Sequence, residues 1–222
     1  MASSSCRNFN GSSDYIDTGD SSSFDATSGE LSVGAWVNWD ALAVLSMFVV
    51  GNVDGSSNGW NYRYNPFLSP QTELFIQGSL ATAALTQSAT QWYYMGFSWD
   101  IGTDQFFIQI DDTGSVSTAT ASVTTTPTAS SNTLKIGEAG DAIAYADGHI
   151  AHVQIWDRKI TQSEHECAAF RPGSVTRNLQ SYYPIYGQQS PEVDIGPLQN
   201  NGTVTGTSAV SLAIPFAIPT SR

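Results

Sequence analysis

Between Asp147 and Phe170 the chain reads DGHIAHVQIWDRKITQSEHECAAF. It begins as a strand, turns at the charged Trp156-Asp157-Arg158-Lys159, and continues into the one segment that reads as a helix. Thr161 followed three residues on by Glu164 is a capping box, in which side chain and backbone satisfy each other's orphan groups. Arg171-Pro172-Gly173 ends the helix, because proline cannot continue it and glycine suits the cap. A single short helix near 161–170, hung after one strand, demands a sheet for it to cover.

The rest of the chain supplies strands. Runs of apolar and β-branched residues recur between Gly, Asn, Asp and Ser punctuation, the pattern of an all-β sandwich. In LSVGAWVNW (31–39) Leu31, Val33, Ala35 and Val37 share one face. SMFVVGNV (46–53) is continuously apolar, as a strand buried on both sides would be. In GWNYRYN (59–65) Trp60, Tyr62 and Tyr64 alternate with Asn61, Arg63 and Asn65. Further strands are expected at 12–19, 72–78, 91–100, 104–116, 132–138, 148–156, 181–187 and 202–214, with a turn at Asp112-Thr113-Gly114. The Thr- and Ser-rich run 115–133 suits an extended edge strand, and Pro127 fits an edge or a turn. No composition shift divides the 222 residues, so one domain is expected over 1–222, with 188–222 closing it or strapping a partner.

Twenty acidic side chains against eight basic ones leave a net charge of −12. Nucleic-acid binding needs clustered Lys and Arg to neutralise phosphates, so this charge balance argues against that class. No apolar run is long enough to span a membrane, and the first residues lack the basic and apolar regions of a signal peptide. Only 13% of residues are charged, so the surface is rich in Ser, Thr, Asn, Gln and Gly, which suits sugar contacts or dense packing in an assembly. Cys6 and Cys167 are too few for a disulfide framework; they read as two buried thiols, with a single bridge as the alternative.

The order of elements resembles the laminin G-like modules of the concanavalin A-like lectin and glucanase superfamily. Phe9, Gly11, Tyr15, Ile16 and Gly19 stand where those modules have a Phe-x-Gly strand and a Tyr-Ile/Val strand. Ala35-Trp36-Val37, Trp92, Trp99-Asp100 and Leu134-x-Ile136-Gly137 match further pieces. Gly148-x-Ile150-x-x-Val153-x-Ile155-Trp156-x-Arg158-x-Ile160-Thr161-x-x-Glu164 is similar to the closing strand and helix. The resemblance covers roughly residues 8–187 and implies a jelly-roll sandwich of two antiparallel sheets. The final YYPIYGQQSPEVDIGPLQNNGTVTG resembles the closing stretch of such modules in phage and prophage genes.

Some members of the superfamily are glucanases, and retaining hydrolysis needs two carboxyl groups held close together. The run Glu-x-Asp-x-(x)-Glu that supplies them there is missing. Glu164 and Glu166 diverge on the helix, and Glu73 reads as a lone solvent-facing strand residue. Asp100, Asp104, Asp111 and Asp112 sit at turns. No Ser-His-Asp grouping emerges from His149, His152 and His165, and no catalytic residue is expected. Many relatives bind calcium with Asp, Asn and carbonyl oxygens at a sheet rim, the ligands that ion prefers. The resemblance therefore implies Asn10, Asp14, Asp17 and Asp147 as calcium candidates, although Ala151-His152 replaces an acidic pair common in the closing strand.

Sugar recognition uses aromatic faces for stacking and amides or carboxylates for hydroxyls. Residues 58–65 mix both kinds, making Trp60, Asn61, Arg63 and Asn65 candidates with Asp54 and Asn58 nearby. The same alternation also describes an aromatic core face and a solvated polar face. Two functions are compatible with these residues: a non-enzymatic virion surface protein of a phage, as capsid decoration or a tail component, and a stand-alone carbohydrate-binding lectin module. The first expects a homo-oligomer, other virion proteins and a virion-surface location. The second expects cell-surface glycans and an extracellular one.

Overall fold

The computed structural model describes residues 5–20, 22–42, 46–67, 70–103, 105–140, 144–187, 189–212 and 214–215. Asp104 and most of the segment after Ile214 lie outside them. In chain order the strands are β1 (Ser5–Asn10), β2 (Tyr15–Asp17), β3 (Glu30–Trp39), β4 (Met47–Gly51), β5 (Trp60–Asn65), β6 (Gln71–Ile76), β7 (Ser79–Ala83) and β8 (Trp92–Asp100). They continue as β9 (Gln105–Asp111), β10 (Val116–Ala121), β11 (Lys135–Ile136), β12 (Asp147–Trp156), β13 (Leu179–Tyr183), β14 (Thr203–Thr205) and β15 (Ser208–Ser211), with α1 (Gln162–Phe170) between β12 and β13.

The strands form two antiparallel sheets. One runs β10-β9-β8-β3-β12-β1-β15, and the other β14-β2-β11-β4-β5-β6-β7. β12 serves two partners in turn along one side: its first residues pair with β1 and its last with β13. The switch falls at a bulge where His152 takes φ 54° and donates its N–H to the Pro184 carbonyl. The core between the sheets holds Leu31, Val33, Ala35 and Val37 of β3 with Trp60, Tyr62 and Tyr64 of β5, as alternation requires. β4 is buried throughout.

A second core lies outside the first sheet, where α1 covers it. Gly34 and Gly96 face each other in register between β3 and β8. They leave room for the Tyr94 hydroxyl and the His165 ring, since a Cβ on Gly96 would sit 2.7 Å from His165 Nδ1. The Trp36 indole N–H donates to the Ala169 carbonyl at 2.9 Å, pinning the helix to the sheet. Thr161 caps α1 together with Glu164 in a complete capping box, and Arg158 of the preceding turn holds the Glu164 carboxylate at 2.6 Å. The charged turn and the helix start are therefore one hydrogen-bonded unit.

The Thr- and Ser-rich run divides. β10 is an edge strand, and residues 122–134 cross between the sheets, held by Gly59 N–H to the Thr128 carbonyl and Ser130 N–H to Asp25. The closing segment also divides. At Gly206 (φ 76°) the chain passes from β14, on the second sheet, to β15, on the first. Arg7 and Glu192, both buried, form an ion pair that fastens this segment to β1. Cys6 is buried, which pushes its thiol up to about 12, but Cys167 is exposed on α1, correcting the expectation of two buried thiols; both are free.

Candidate functional site

The outer face of the second sheet carries the polar half of GWNYRYN. In the β5–β6 hairpin Arg63 stands opposite Glu73, and Asn65 opposite Gln71. The Glu73 carboxylate accepts from Arg63 Nε at 2.5 Å, Asn65 Nδ2 at 2.9 Å and Gln71 Nε2 at 2.7 Å. Glu73 is only 1% exposed, so the expectation of a lone solvent-facing glutamate is wrong: long neighbours on the same face close over it. Arg63 lies 5.2 Å above the Phe48 ring, within cation–π range. Asn61, next along that face of β5, is buried, and its Oδ1 meets no donor among the described residues. A buried acceptor without a donor costs about 1–3 kcal/mol. Phe67, 58% exposed, stands beyond Asn65, whose Oδ1 accepts the Phe67 N–H.

The structure separates the other members of that candidate set. Trp60 is fully buried and donates its indole N–H to the Phe24 carbonyl, so its ring cannot stack on a sugar. Its period-two position with Tyr62 and Tyr64 is a core position. Asp54 ties its own loop to the crossing segment. Its carboxylate accepts from the backbone N–H groups of Ser131, Ser56 and Asn58 and from the Asn58 side chain. These bonds, the Ser131 backbone N–H foremost, hold its carboxyl down at about 2. Asn58 is spent there and on accepting from Gln77. Asn61, Arg63 and Asn65 thus remain on the face, and the structure adds Gln71 and Glu73. Both could be found in the sequence once β5 and β6 are paired across their turn, which sets Arg63 against Glu73.

The four calcium candidates do not form one site. Asn10 pairs with Asp147 between β1 and β12, and Asp14 accepts the Asn10 N–H at 3.2 Å. Asn10 Oδ1 is taken by the Ser12 and Ser13 N–H groups. Asp17 points from β2 and accepts the Gly19 N–H. Burial, and then the Asp40 charge, raises the Asp147 carboxyl. Among the described residues no three His, Cys, Asp or Glu side chains converge on a point. A calcium shell takes six to eight oxygens, and this set does not fit it.

Glu73, Glu138, Glu164 and Glu192 each pair with an Arg or Lys, and hydrogen bonds, that from Arg158 foremost, hold the Glu164 carboxyl down at about 2. A glycosidase acid needs the opposite, a raised pKa. His152 and His165 are buried, and burial lowers them to about 4 and about 3. His165, on the sheet-facing side of α1, sits between the Tyr94 and Ser98 hydroxyls, 3.0 Å from each.

The family model described as the concanavalin A-like lectin/glucanases superfamily matches residues 10–164. A protein from Bacteroides ovatus proposed to bind carbohydrate has a similar fold, with a TM-score of 0.70 and 17% identity over 98% of this chain and 62% of its own. This chain therefore spans less than two thirds of that protein. The heptameric SAP-like pentraxin of Limulus polyphemus has a TM-score of 0.57 at 12% identity, over 96% of this chain and 91% of its own. The enzymatically active domain of tailspike protein 2 from bacteriophage CBA120 has a TM-score of 0.58 at 11% identity, over 82% and 33%. These likenesses are of fold. No curated protein matches the chain in sequence.

Proposed function

The chain belongs to the concanavalin A-like lectin/glucanase superfamily, and from that premise we propose that it is a non-enzymatic carbohydrate-binding protein. Its binding face is the outer face of the second sheet. The observation that carries this reading is the β5–β6 network, where Arg63, Asn65 and Gln71 converge on Glu73 beside the unmatched Asn61 acceptor. The half-buried Asn65 and Gln71 amides, fixed by the Glu73 carboxylate beneath them, offer donors and acceptors to vicinal hydroxyls, and the network costs little to organise on binding. Phe67 supplies apolar surface at its border.

The test is a screen of neutral oligosaccharides followed by calorimetric titration of any ligand found. Asn65→Ala with Gln71→Ala should weaken that ligand at least about tenfold, the loss of two hydrogen bonds in a desolvated site. Binding unchanged by the double substitution, or hydrolysis of the ligand, would contradict the reading.

A virion surface is the setting we propose for it, with other virion proteins or a second copy of the chain as neighbours. The support is the resemblance of residues 182–206 to the closing stretch of such modules in phage genes, and the occurrence of this fold in a phage tailspike. Residues 203–211 are spent closing the chain's own two sheets, so strapping of a partner would fall to the chain beyond Ser211. Mass spectrometry of purified particles should find the protein. A gene outside any phage or prophage structural cluster would sink this placement.

A further inference from the structure

Four of the eight basic side chains, Arg158, Lys159, Arg171 and Arg177, fall within twenty residues of a chain whose net charge is −12. The fold gathers three of them around one cavity. The β12–α1 turn brings Arg158, the end of α1 brings Arg171, and the connection to β13 brings Arg177. They line a cavity of about 350 Å³ together with Glu164, Cys167 and Thr176. Arg158 is committed: its guanidinium pairs with Glu164 and donates to the Arg177 carbonyl at 3.0 Å. Arg171 and Arg177 are exposed, and neither guanidinium has a partner among the described residues. Arg171 caps α1, where a cation complements the carbonyl end of the helix. That accounts for one cation and leaves Arg177 without a structural reason.

This cavity does not stand alone. It shares Arg158 and Arg177 with a neighbouring cavity of about 520 Å³, and Thr176 with one of about 530 Å³. The last is walled by Pro172, Leu179, Ile195 and Pro197, with Ile195 59% exposed. The three make one groove: its middle sets the Arg158, Arg171 and Arg177 guanidinium groups against the Glu164 carboxylate, one end adds Lys159 with Glu30 and Asp157, and the other end is an apolar wall. Guanidinium matches carboxylate and sulfate oxygens two at a time, and the apolar wall suits the C–H face of a sugar ring. A long polyanion such as nucleic acid would meet the acidic surface on either side.

We propose that this groove binds an acidic saccharide, with its carboxylate or sulfate on Arg171 and Arg177 and its ring against Pro172, Ile195 and Pro197. It is a second site, separate from the outer face of the second sheet, and it does not depend on that face. The groove carries its own reporter. Cys167 lines it and is exposed, whereas Cys6 is buried, so one thiol reacts in the folded protein.

The experiment follows alkylation of Cys167 by iodoacetamide, and calorimetric titration, with four probes: an oligogalacturonate, a sulfated galactan oligosaccharide, a neutral gluco-oligosaccharide and a phosphopeptide of matched charge. One or both acidic probes should bind and slow alkylation, and which one does so separates carboxylate from sulfate recognition. Arg171→Gln with Arg177→Gln should weaken that binding at least about tenfold, with the thermal midpoint little changed because both side chains are exposed. Equal protection by the neutral probe, equal protection by a phosphopeptide of matched charge, or full binding by the double variant would overturn the proposal. Neutral oligosaccharides binding while acidic ones do not would reject the groove and leave the sheet face standing. Acidic binding that needs the two arginines, without any neutral ligand, would do the reverse.

Discussion

Acid should destabilise this protein well above the pH at which its carboxylates are protonated, and His165 should be responsible for about half of the effect. His165 is enclosed by α1 and the first sheet, and burial lowers it to about 3; His152, at the β12 bulge, is lowered to about 4. A histidine depressed in the folded state binds its proton in the unfolded chain first. Its stabilisation is complete above an unfolded pKa of about 6.5 and is lost as pH falls from there toward the folded value. Between about pH 6 and pH 5 each histidine contributes a mean slope of about 1.2 kcal/mol per pH unit. Together the two remove about 4 kcal/mol between about pH 7 and pH 5. Urea unfolding at a series of pH values measures the slope. His165→Asn lowers stability at every pH, through the lost Tyr94 and Ser98 contacts, but it should also cut the slope by about half. A variant whose slope equals that of the parent would refute the reasoning, as would a parent whose stability is flat over that range.

Three other outcomes are expected. Gly96→Ala places a Cβ 2.7 Å from His165 Nδ1 and 3.0 Å from Ile108, so it should cost about 1–3 kcal/mol by overpacking, read from the urea midpoint. Glu192→Gln leaves the buried Arg7 cation without its counter-charge; a loss of about 3 kcal/mol or more is expected by the same assay, and a neutral result would mean that water reaches the pair. Calcium and a chelator should leave the thermal midpoint within about 1 °C of each other, since a bound ion would raise it by mass action. A larger rise with calcium would restore the rim residues Asn10, Asp14 and Asp147 as ligands.

The fold was legible because its signals are local. Period-two alternation put Val33, Val37, Tyr62 and Tyr64 in the core, where they lie. Thr161 and Glu164 made the capping box that their spacing implies. The site was legible only in part, since it depends on which strands pair. Trp60 belonged to the core once its face was fixed, and Glu73 stopped being solvent-facing once β6 paired with β5. Asp54 matched the chemistry of a ligand-binding carboxylate, but its bonds to Ser131 span 77 residues of chain, a distance that no local pattern encodes. The arginine groove was hidden for a similar reason. Arg158 and Arg177 meet only because β12 and β13 are neighbours in the first sheet.

The central claim is that the β5–β6 face, and not the aromatic strand face behind it, meets carbohydrate. Its most direct test tracks the side-chain amide resonances of Asn61, Asn65 and Gln71 by NMR during titration with a neutral oligosaccharide selected by screening. These three should shift together and saturate, while the indole resonance of buried Trp60 stays in place. A ligand that binds without moving them would contradict it.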